Sequence, residues 1–190
     1  MNLFTRQGFE NVSMRRIAGQ IGYSAAAIYR YFQGKRDILA TLRLEAFERF
    51  LASQREVAER FDDPLERLRQ GGLGYLRFAR QRPEDYQIMF ALGPMEAEVS
   101  CLDQGEAPMR SFLLLEENCR ECLDMGLFPG LDARTLALAL WSGVHGLVSL
   151  VQSSRLDVFV PADQEEALMR RMIDFMMRPG EPARQSEEQP

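Results

Sequence analysis

The chain has 190 residues, of which 46% are hydrophobic, and its formal net charge at pH 7 is −5. A chain of this length buries roughly 70% of its unfolded surface, enough for one sizeable core and a small satellite. The sequence shows no basic-then-apolar leader and no long apolar run, so it predicts neither export nor a membrane span. The three cysteines lack a disulfide-scaffold spacing, which favours reduced thiols and a cytoplasmic location.

The net charge is divided unevenly along the sequence. Residues 1–43 contain seven basic and two acidic side chains, a net charge of +5, so the remaining residues carry −10. A basic N-terminal end orients a protein on a polyanion such as nucleic acid. Charge runs are usually solvated faces. The interpretation of this basic segment as a DNA-binding surface therefore depends on the helical motif that lies in the same segment.

The stretch from Ser13 to Lys35 predicts two short helices joined by a tight turn, after an N-terminal helix that ends at Gly8. Ser13 and Ser24 stand at N-cap positions, and Gly22 stands where a sharp turn between helices needs a positive φ. The apolar side of this small unit is predicted from Phe4, Phe9, Ile17, Ala18, Ile21 and Ile28. The pattern is typical of a helix-turn-helix whose second helix, residues 24–31, lies in a DNA major groove.

The rest of the sequence predicts further helices and no strand, so the fold class is all-α. Pro64 begins one helix, Pro83 interrupts the pattern before the next, and Gly126 ends a third. The predicted ranges are 35–60, 64–81, 84–92, 107–125, 132–155 and 161–178, with a loop at 93–106. We expect a helix-turn-helix domain over 1–45, a helical effector-binding and dimerisation domain over 46–178, and a disordered tail over 179–190.

The segment GFENVSMRRIAGQIGYSAAAIYRYFQGKRDIL resembles the DNA-binding segment of the TetR (tetracycline-repressor) family of bacterial transcription regulators. The matching features are Gly8-Phe9, Ser13, Ile17-Ala18, Gly22, Ile28-Tyr29-x-Tyr31-Phe32, Lys35 and Ile38-Leu39. A second segment, LALALWSGVHGLVSL, is similar to a TetR subfamily whose effector domain is named for Trp, His and Gly. The resemblance implies a homodimer. It also implies a longer first helix preceded by a basic arm, and here most of that helix and all of the arm are missing.

Ten residues of the first segment are predicted to contact DNA. Alanines lead the second helix and offer base edges only methyl groups, so hydrogen-bonded readout falls to Arg15, with Arg30 and Tyr31 as further candidates. The resemblance implies that phosphates are held by Ser13, Tyr29, Tyr31 and Lys35. The alternatives are capping alone for the serines and core packing for Tyr29. The predicted contacts are Ser13, Arg15, Ser24, Ala25, Ala26, Ala27, Tyr29, Arg30, Tyr31 and Lys35.

A mostly apolar ligand site is predicted in the second half of the chain. Glu116 falls within an apolar stripe of its helix, and a carboxylate there needs a partner or a raised pKa. Trp141 and His145 share one face of the next helix. The predicted lining residues are Tyr86, Phe112, Glu116, Trp141 and His145. The alternative is that these are ordinary core residues, with His145 hydrogen-bonded internally and Glu116 at a rim.

The cysteine pair and the histidine do not complete a catalytic or metal-binding set. Cys119 and Cys122 face alike on a helix, but no second pair or nearby histidine completes a zinc site. We interpret them as buried or incidental thiols rather than a redox or metal pair. The sequence therefore predicts no enzyme, no cofactor and no metal.

Two apolar stripes near the end of the chain predict dimerisation. The eighth helix carries Leu136, Leu140, Val144, Leu147 and Val151. The ninth carries Leu168, Met169, Met172, Ile173 and Met176. Such helices can bury against their symmetry mates as a four-helix bundle. The alternative is that one stripe serves the core of the monomer.

These observations predict a cytoplasmic, homodimeric, ligand-responsive transcriptional regulator. The prediction is a repressor that releases its double-stranded DNA operator when a small molecule binds the C-terminal domain, with the helix over 35–60 transmitting the change. One alternative is a DNA-binding factor regulated by a protein partner without a small-molecule effector. Another is an enzyme or small-molecule carrier with an inactive DNA domain.

Overall fold

The computed structural model of the chain describes residues 3–90 and 106–178, and all regular structure in these ranges is helical. The helices are α1 Leu3–Gln7, α2 Met14–Gln20, α3 Ala25–Tyr29, α4 Lys35–Arg60, α5 Pro64–Gln81, α6 Pro83–Phe90, α7 Ala107–Asp124, α8 Ala133–Gln152 and α9 Glu165–Met176. Two 3₁₀ helices, Leu156–Val158 and Ala162–Gln164, lie between α8 and α9. The all-α prediction is confirmed.

Most helix ends lie where cap and turn residues predict them, and the ranges of α4 and α5 match residue for residue. α8 is shorter than predicted because Ser154 has a positive φ of 51°, which takes the chain out of the helix after Gln152. α9 begins at Glu165 rather than at Pro161, because a 3₁₀ helix precedes it. α3 ends at Tyr29, two residues early. The predicted loop up to residue 105 and the tail over 179–190 lie outside the described residues.

The chain divides into two compact units. The first comprises Met1–Ser53 and Phe78–Ser111, and the second comprises Gln54–Arg77 and Phe112–Pro190. These limits fall inside α4, α5 and α7, so each of these helices contributes residues to both units. They differ from the expected boundaries at residues 45 and 178, and the functional division into those domains stays a prediction.

In the first unit, arginines of α4 hold α6 by directional bonds. Arg43 Nε–H donates to the carbonyl oxygen of Ile88 at 2.9 Å, and Arg49 makes two bonds of 2.9 Å to the carboxylate of Asp85. Arg43 is only 5% exposed. A buried guanidinium needs such acceptors, because an uncompensated buried charge is strongly destabilising. The Asp85 carboxylate also raises the pKa of Arg49.

In the second unit, Arg67 of α5 joins α7 to the connection before α5. Its Nη1 donates to Asn118 Oδ1 at 3.0 Å and to Glu121 Oε1 at 2.9 Å. Its Nε and Nη2 donate to the carbonyl oxygens of Phe61 and Asp62, each at 3.0 Å. The Arg67 side chain is 14% exposed, so these bonds replace nearly all of its contact with water. One guanidinium thus fixes two segments that are far apart in sequence.

The α8 stripe that was expected to form the dimer interface belongs to the core of the chain instead. Leu136, Leu140, Val144 and Leu147 are each 6% exposed or less. On α9, Met169 and Ile173 are buried, whereas Met172 is 38% exposed. A helix that is apolar on two sides can bury either side, and periodicity does not tell which. For α8, the alternative that the stripe serves the monomer's own core is therefore the correct one.

Helix α8 also corrects the expectation that no apolar run is long enough for a membrane. Within the described ranges, Ala133–Gln152 is long and apolar enough to cross a bilayer by length and composition. This is weak evidence, because the core helix of a soluble protein passes the same test. Six of its 20 residues are buried in the fold.

Candidate nucleic-acid interface and effector site

Two serine caps and one glycine define the predicted helix-turn-helix. Ser13 Oγ accepts the Arg16 backbone N–H at 3.3 Å, and Ser24 Oγ accepts the Ala27 backbone N–H at 3.1 Å. Gly22 has a φ of 75°, a conformation that other residues rarely adopt. The serines are therefore N-caps, as predicted. Their contact with DNA stays a prediction.

The apolar side of this motif is smaller than expected. Ile17, Ala18 and Ile28 are buried, but Ile21 is 56% exposed. Ile21 is the C-cap of α2, where the chain leaves the helix, so its side chain does not continue the buried stripe. It lies instead along an open apolar groove of about 740 Å³ that Tyr31 also lines.

The exposed side chains of α2, α3 and their flanks are largely basic or aromatic. Tyr29 is 56% exposed and Tyr31 77% exposed, so neither packs in the core. The exposed basic residues of the first 43 positions are Arg6, Arg15, Arg16, Arg30 and Arg36. Exposed arginine and tyrosine side chains supply the hydrogen-bond donors that phosphates and base edges accept. Ala25 and Ala27 are half-buried and Ala26 is exposed at the start of α3.

Two basic residues counted in the N-terminal charge have internal partners. Lys35 Nζ donates to the carbonyl oxygens of Phe9 and Glu10 at 2.9 and 3.3 Å, and lies 4.3 Å from the centre of the Phe9 ring. Lys35 thus ties the start of α4 to the connection between α1 and α2. Arg43 is buried in the first unit. The exposed positive charge is consequently smaller than the sequence count suggests.

An aromatic cluster in the second unit joins three of the predicted effector-site residues. The Trp141 ring lies 6.3 Å from the Phe112 ring and 6.1 Å from the His145 ring, measured between centroids. His145 Nδ1 is hydrogen-bonded to the Tyr75 hydroxyl at 3.0 Å. The cluster connects α5, α7 and α8. It combines an apolar wall with two hydrogen-bonding groups, as small-molecule sites do.

The other two predicted residues have different surroundings. The Glu116 carboxylate is 12% exposed and faces Arg134 Nη2 at 3.2 Å and Arg120 Nη2 at 3.5 Å, so it has the partners that a buried carboxylate needs. Tyr86 belongs to the first unit, where it is buried with its ring centroid 5.0 Å from that of Phe90.

Sequence reasoning missed Tyr75 and Arg134 as partners in this region. Tyr75 was visible only as an aromatic residue of α5, 70 positions before His145. Arg134 lies 18 positions after Glu116, in the first turn of α8. No local spacing connects such pairs. The only available signal was the requirement that a carboxylate on an apolar stripe should have a cationic partner.

Burial affects the titratable groups of the second unit. It lowers the pKa of His145, because the imidazolium loses hydration, and this favours the neutral ring at pH 7. Burial also raises the pKa of the Cys119 thiol to about 12 and that of Cys122 to about 11. Both cysteines are fully buried, and protonated thiols are poor nucleophiles. The interpretation as buried thiols therefore fits their surroundings.

The solvent-exposed side of α8 is uncharged. Between Thr135 and Ser153 the sequence contains no Asp, Glu, Lys or Arg. Leu138 and Leu150 are 43% and 41% exposed. The exposed or half-exposed residues between them include Ala139, Ser142, Gly146 and Ser149. A helix face of small and apolar residues lets another helix approach closely.

Two segments of the sequence match known domain families. Residues 1–42 match the family described as bacterial regulatory proteins, tetR family, and residues 68–176 match tetracyclin repressor-like, C-terminal domain. The chain belongs to the TetR family. The N-terminal resemblance is thereby confirmed. The C-terminal match is to the tetracyclin repressor-like domain, and the Trp-His-Gly subfamily stays a prediction.

Known relatives of this TetR-family chain include transcriptional regulators. One from Staphylococcus aureus (strain USA300), an HTH-type regulator, is 24% identical over 110 residues, which are 58% of this chain and 52% of the relative. The chain thus spans about half the length of the curated relatives it matches. FadR of Bacillus subtilis, solved with stearoyl-CoA, is 19% identical with a TM-score of 0.73, covering 92% of each chain. AibR, solved with isovaleryl coenzyme A and operator DNA, is 19% identical with a TM-score of 0.67, covering 94% of each. These structures share the fold.

The lowered pKa of His145 predicts a specific pH dependence of stability. As the pH falls below about 6.5, the unfolded chain takes up a proton that the native ring resists, so the free energy of unfolding falls. His145→Gln removes this contribution. We expect the variant to lose less stability than the wild type between about pH 7.5 and about pH 5.5, measured by urea denaturation. Tyr75→Phe, which keeps the buried imidazole, serves as the control. Equal losses in wild type and H145Q would contradict the assignment.

Proposed function

We propose that this TetR-family protein is a ligand-responsive repressor that releases its operator when a small molecule binds the second unit. The observation that carries the proposal is the exposed arginine and tyrosine surface around two serine-capped helices, α2 and α3. In this proposal residues 1–45 act as the DNA-binding domain and residues 46–178 as the effector and dimerisation domain. The protein acts in the cytoplasm, where its operator is.

Each DNA-facing residue type has a distinct role in this proposal. α3 enters the major groove, where Ala25, Ala26 and Ala27 allow close approach and contact with thymine methyl groups. Arg15 supplies hydrogen-bonded base readout, with Arg30 and Tyr31 as further readers. The phosphates are held by Ser13, Ser24, Tyr29, Tyr31 and Lys35. Lys35 also keeps its internal bonds to the α1–α2 connection.

The DNA-binding role predicts a steep salt dependence. A dimer that makes about 6–8 phosphate contacts loses affinity with a log–log slope of about −5 to −7. Fluorescence anisotropy on a duplex selected from a random pool measures this slope. Arg15→Ala should weaken binding by about 1–3 kcal/mol and relax the sequence preference. Arg55→Ala, at an exposed position of α4 in the second unit, is the matched control and should bind normally. A flat salt response would remove the DNA-binding proposal.

We further propose that the effector binds beside the cluster of Tyr75, Trp141 and His145, with Phe112 and Glu116 as further lining residues of the second unit. Trp141, His145 and Gly146 support an assignment to the Trp-His-Gly effector subfamily. FadR and AibR have been solved with acyl-CoA molecules. An acyl thioester is therefore the first ligand class to test, since its hydrocarbon part suits an aromatic wall.

Operator release by stearoyl-CoA or isovaleryl-CoA tests the effector proposal. We expect one of them to dissociate the protein from its selected duplex. His145→Ala combined with Glu116→Gln should raise the half-release concentration about tenfold or more, because the proposed site would lose two of its lining side chains. Glu117→Gln, on the exposed neighbour of Glu116, is the matched control. A double variant that responds like the wild type would rule out this site, and failure of both compounds would rule out these acyl-CoA effectors.

Homodimerisation, which is typical of the family, is proposed to use the uncharged side of α8 defined by Leu138, Ser142, Gly146 and Leu150. A charge on this face would be buried without a partner in the dimer. We expect Leu138→Glu to be monomeric by light scattering at micromolar concentration, where the wild type is dimeric. Ala52→Glu, at an exposed position of α4, should stay dimeric. A dimeric L138E would require another interface.

One observation favours regulation by a protein partner as the second candidate function. Val158 and Phe159, between α8 and α9, are 78% and 81% exposed. Exposed apolar side chains are common in protein interfaces. Release of the operator by an acyl-CoA alone would decide for the small-molecule proposal.

A further inference from the structure

Helix α5 contains three interior glycines within four positions, at Gly71, Gly72 and Gly74. Glycine weakens a helix because it loses the most backbone freedom on folding. Packing accounts for Gly72, where a Cβ would lie 2.9 Å from Ile173 Cδ1 and 3.6 Å from Val144 Cγ1. Glycine at this position lets α5 approach α9 closely.

Packing does not account for Gly71 and Gly74. A Cβ at Gly71 would lie 3.3 Å from Gln54 Oε1, and a Cβ at Gly74 would lie 3.4 Å from Gln54 Nε2. Both nearest atoms are at the end of a flexible side chain on α4, which can shift by the few tenths of an ångström that alanine needs. The weakening of α5 at these two positions is therefore not offset by a close approach of backbones.

A second unfavourable feature lies at the same point. The side-chain amide nitrogen of Gln54 is buried and has no hydrogen-bond partner. Among the side-chain nitrogen and oxygen atoms of the described residues, only Gln7 Oε1 is also buried without a partner. A buried donor without an acceptor has lost its water without gaining a bond. The crossing of α4 and α5 thus combines a weak helical segment with an unsatisfied amide.

We propose that the crossing formed by Gln54, Gly71 and Gly74 is a hinge within the second unit. Opening of the crossing lets α5 bend at the glycines and lets the Gln54 amide find an acceptor. This inference rests on the proposed ligand-responsive function, in which the DNA-binding segment directly precedes α4 in the chain and α4 transmits the change to it. An effector with higher affinity for the opened crossing shifts the population towards it. Closed and opened crossings then correspond to the operator-bound and released states.

Hydrogen–deuterium exchange of the full-length protein measures the hinge without DNA or effector. Local opening predicts that amides over 70–76 exchange faster than those of the α8 core. Gly71→Ala with Gly74→Ala should slow exchange over 70–76 about tenfold or more and raise the midpoint of thermal unfolding by about 4–8 °C. Gly19→Ala is the matched control, since it adds a methyl group in open space to α2. It should leave exchange over 70–76 unchanged.

Gln54→Leu tests the unsatisfied amide separately. Removing the amide should slow exchange over 70–76 and raise the unfolding midpoint, because a leucine of similar size needs no partner. A lower midpoint would show that the amide has an acceptor in solution and would overturn this part of the proposal. Unchanged exchange in the double alanine variant would overturn the hinge.

The regulatory consequence is measured with the acyl-CoA that releases the wild-type protein from its selected duplex. The double alanine variant should bind the duplex with the wild-type affinity and need about tenfold more acyl-CoA for half release. Wild-type release despite slowed exchange would overturn the coupling. If neither acyl-CoA releases the wild type, the effector proposal fails, and the exchange experiment still decides whether the hinge exists.

Discussion

The turn between α2 and α3 is the constraint on which the proposed DNA-facing surface depends. Gly22 supplies a backbone conformation that a side chain would strain, and Ser24 caps the next helix two residues later. α3 has only five residues and a single buried side chain, Ile28. A helix this short has no stability of its own. The direction of α3 is therefore determined by the turn and the cap. The same turn and cap determine the positions of Tyr29 and of the residues after it.

This motif could be predicted from sequence because its signals are local. Each serine cap accepts a backbone N–H three positions later, at Ser13 and at Ser24, and Gly22 acts within the turn itself. The spacing of these residues along the sequence is therefore enough to predict the two helix starts and the turn between the helices. The charge of the same segment was harder to interpret. Arg43 bonds to a carbonyl 45 positions away and Lys35 to one 26 positions away. A count of basic residues cannot separate side chains that face solvent from those that hold the fold together.

Helix α8 shows why the second half of the chain was only partly predictable. Its apolar residues occupy more than one side, with Leu140 and Val144 in the core and Leu138 and Leu150 exposed. Periodicity identified the helix and brought Trp141 and its histidine neighbour to one face. It did not identify which stripe the rest of the chain covers, because that depends on α5 and α9. The proposed dimer face became visible only once the core was known.

The polar groups of the effector cluster limit the chemistry of what can bind there. Burial lowers the pKa of His145, which favours the neutral ring at pH 7, and the Tyr75 hydroxyl is hydrogen-bonded to one of its ring nitrogens. The Glu116 carboxylate is compensated by two arginines, Arg120 and Arg134. Neither group therefore presents an uncompensated charge, and a charged ligand group beside the aromatic rings would lose hydration without gaining a partner. The cluster consequently suits the hydrocarbon part of an effector. The polar head of an amphipathic effector such as an acyl-CoA needs contacts elsewhere in the protein or in solvent.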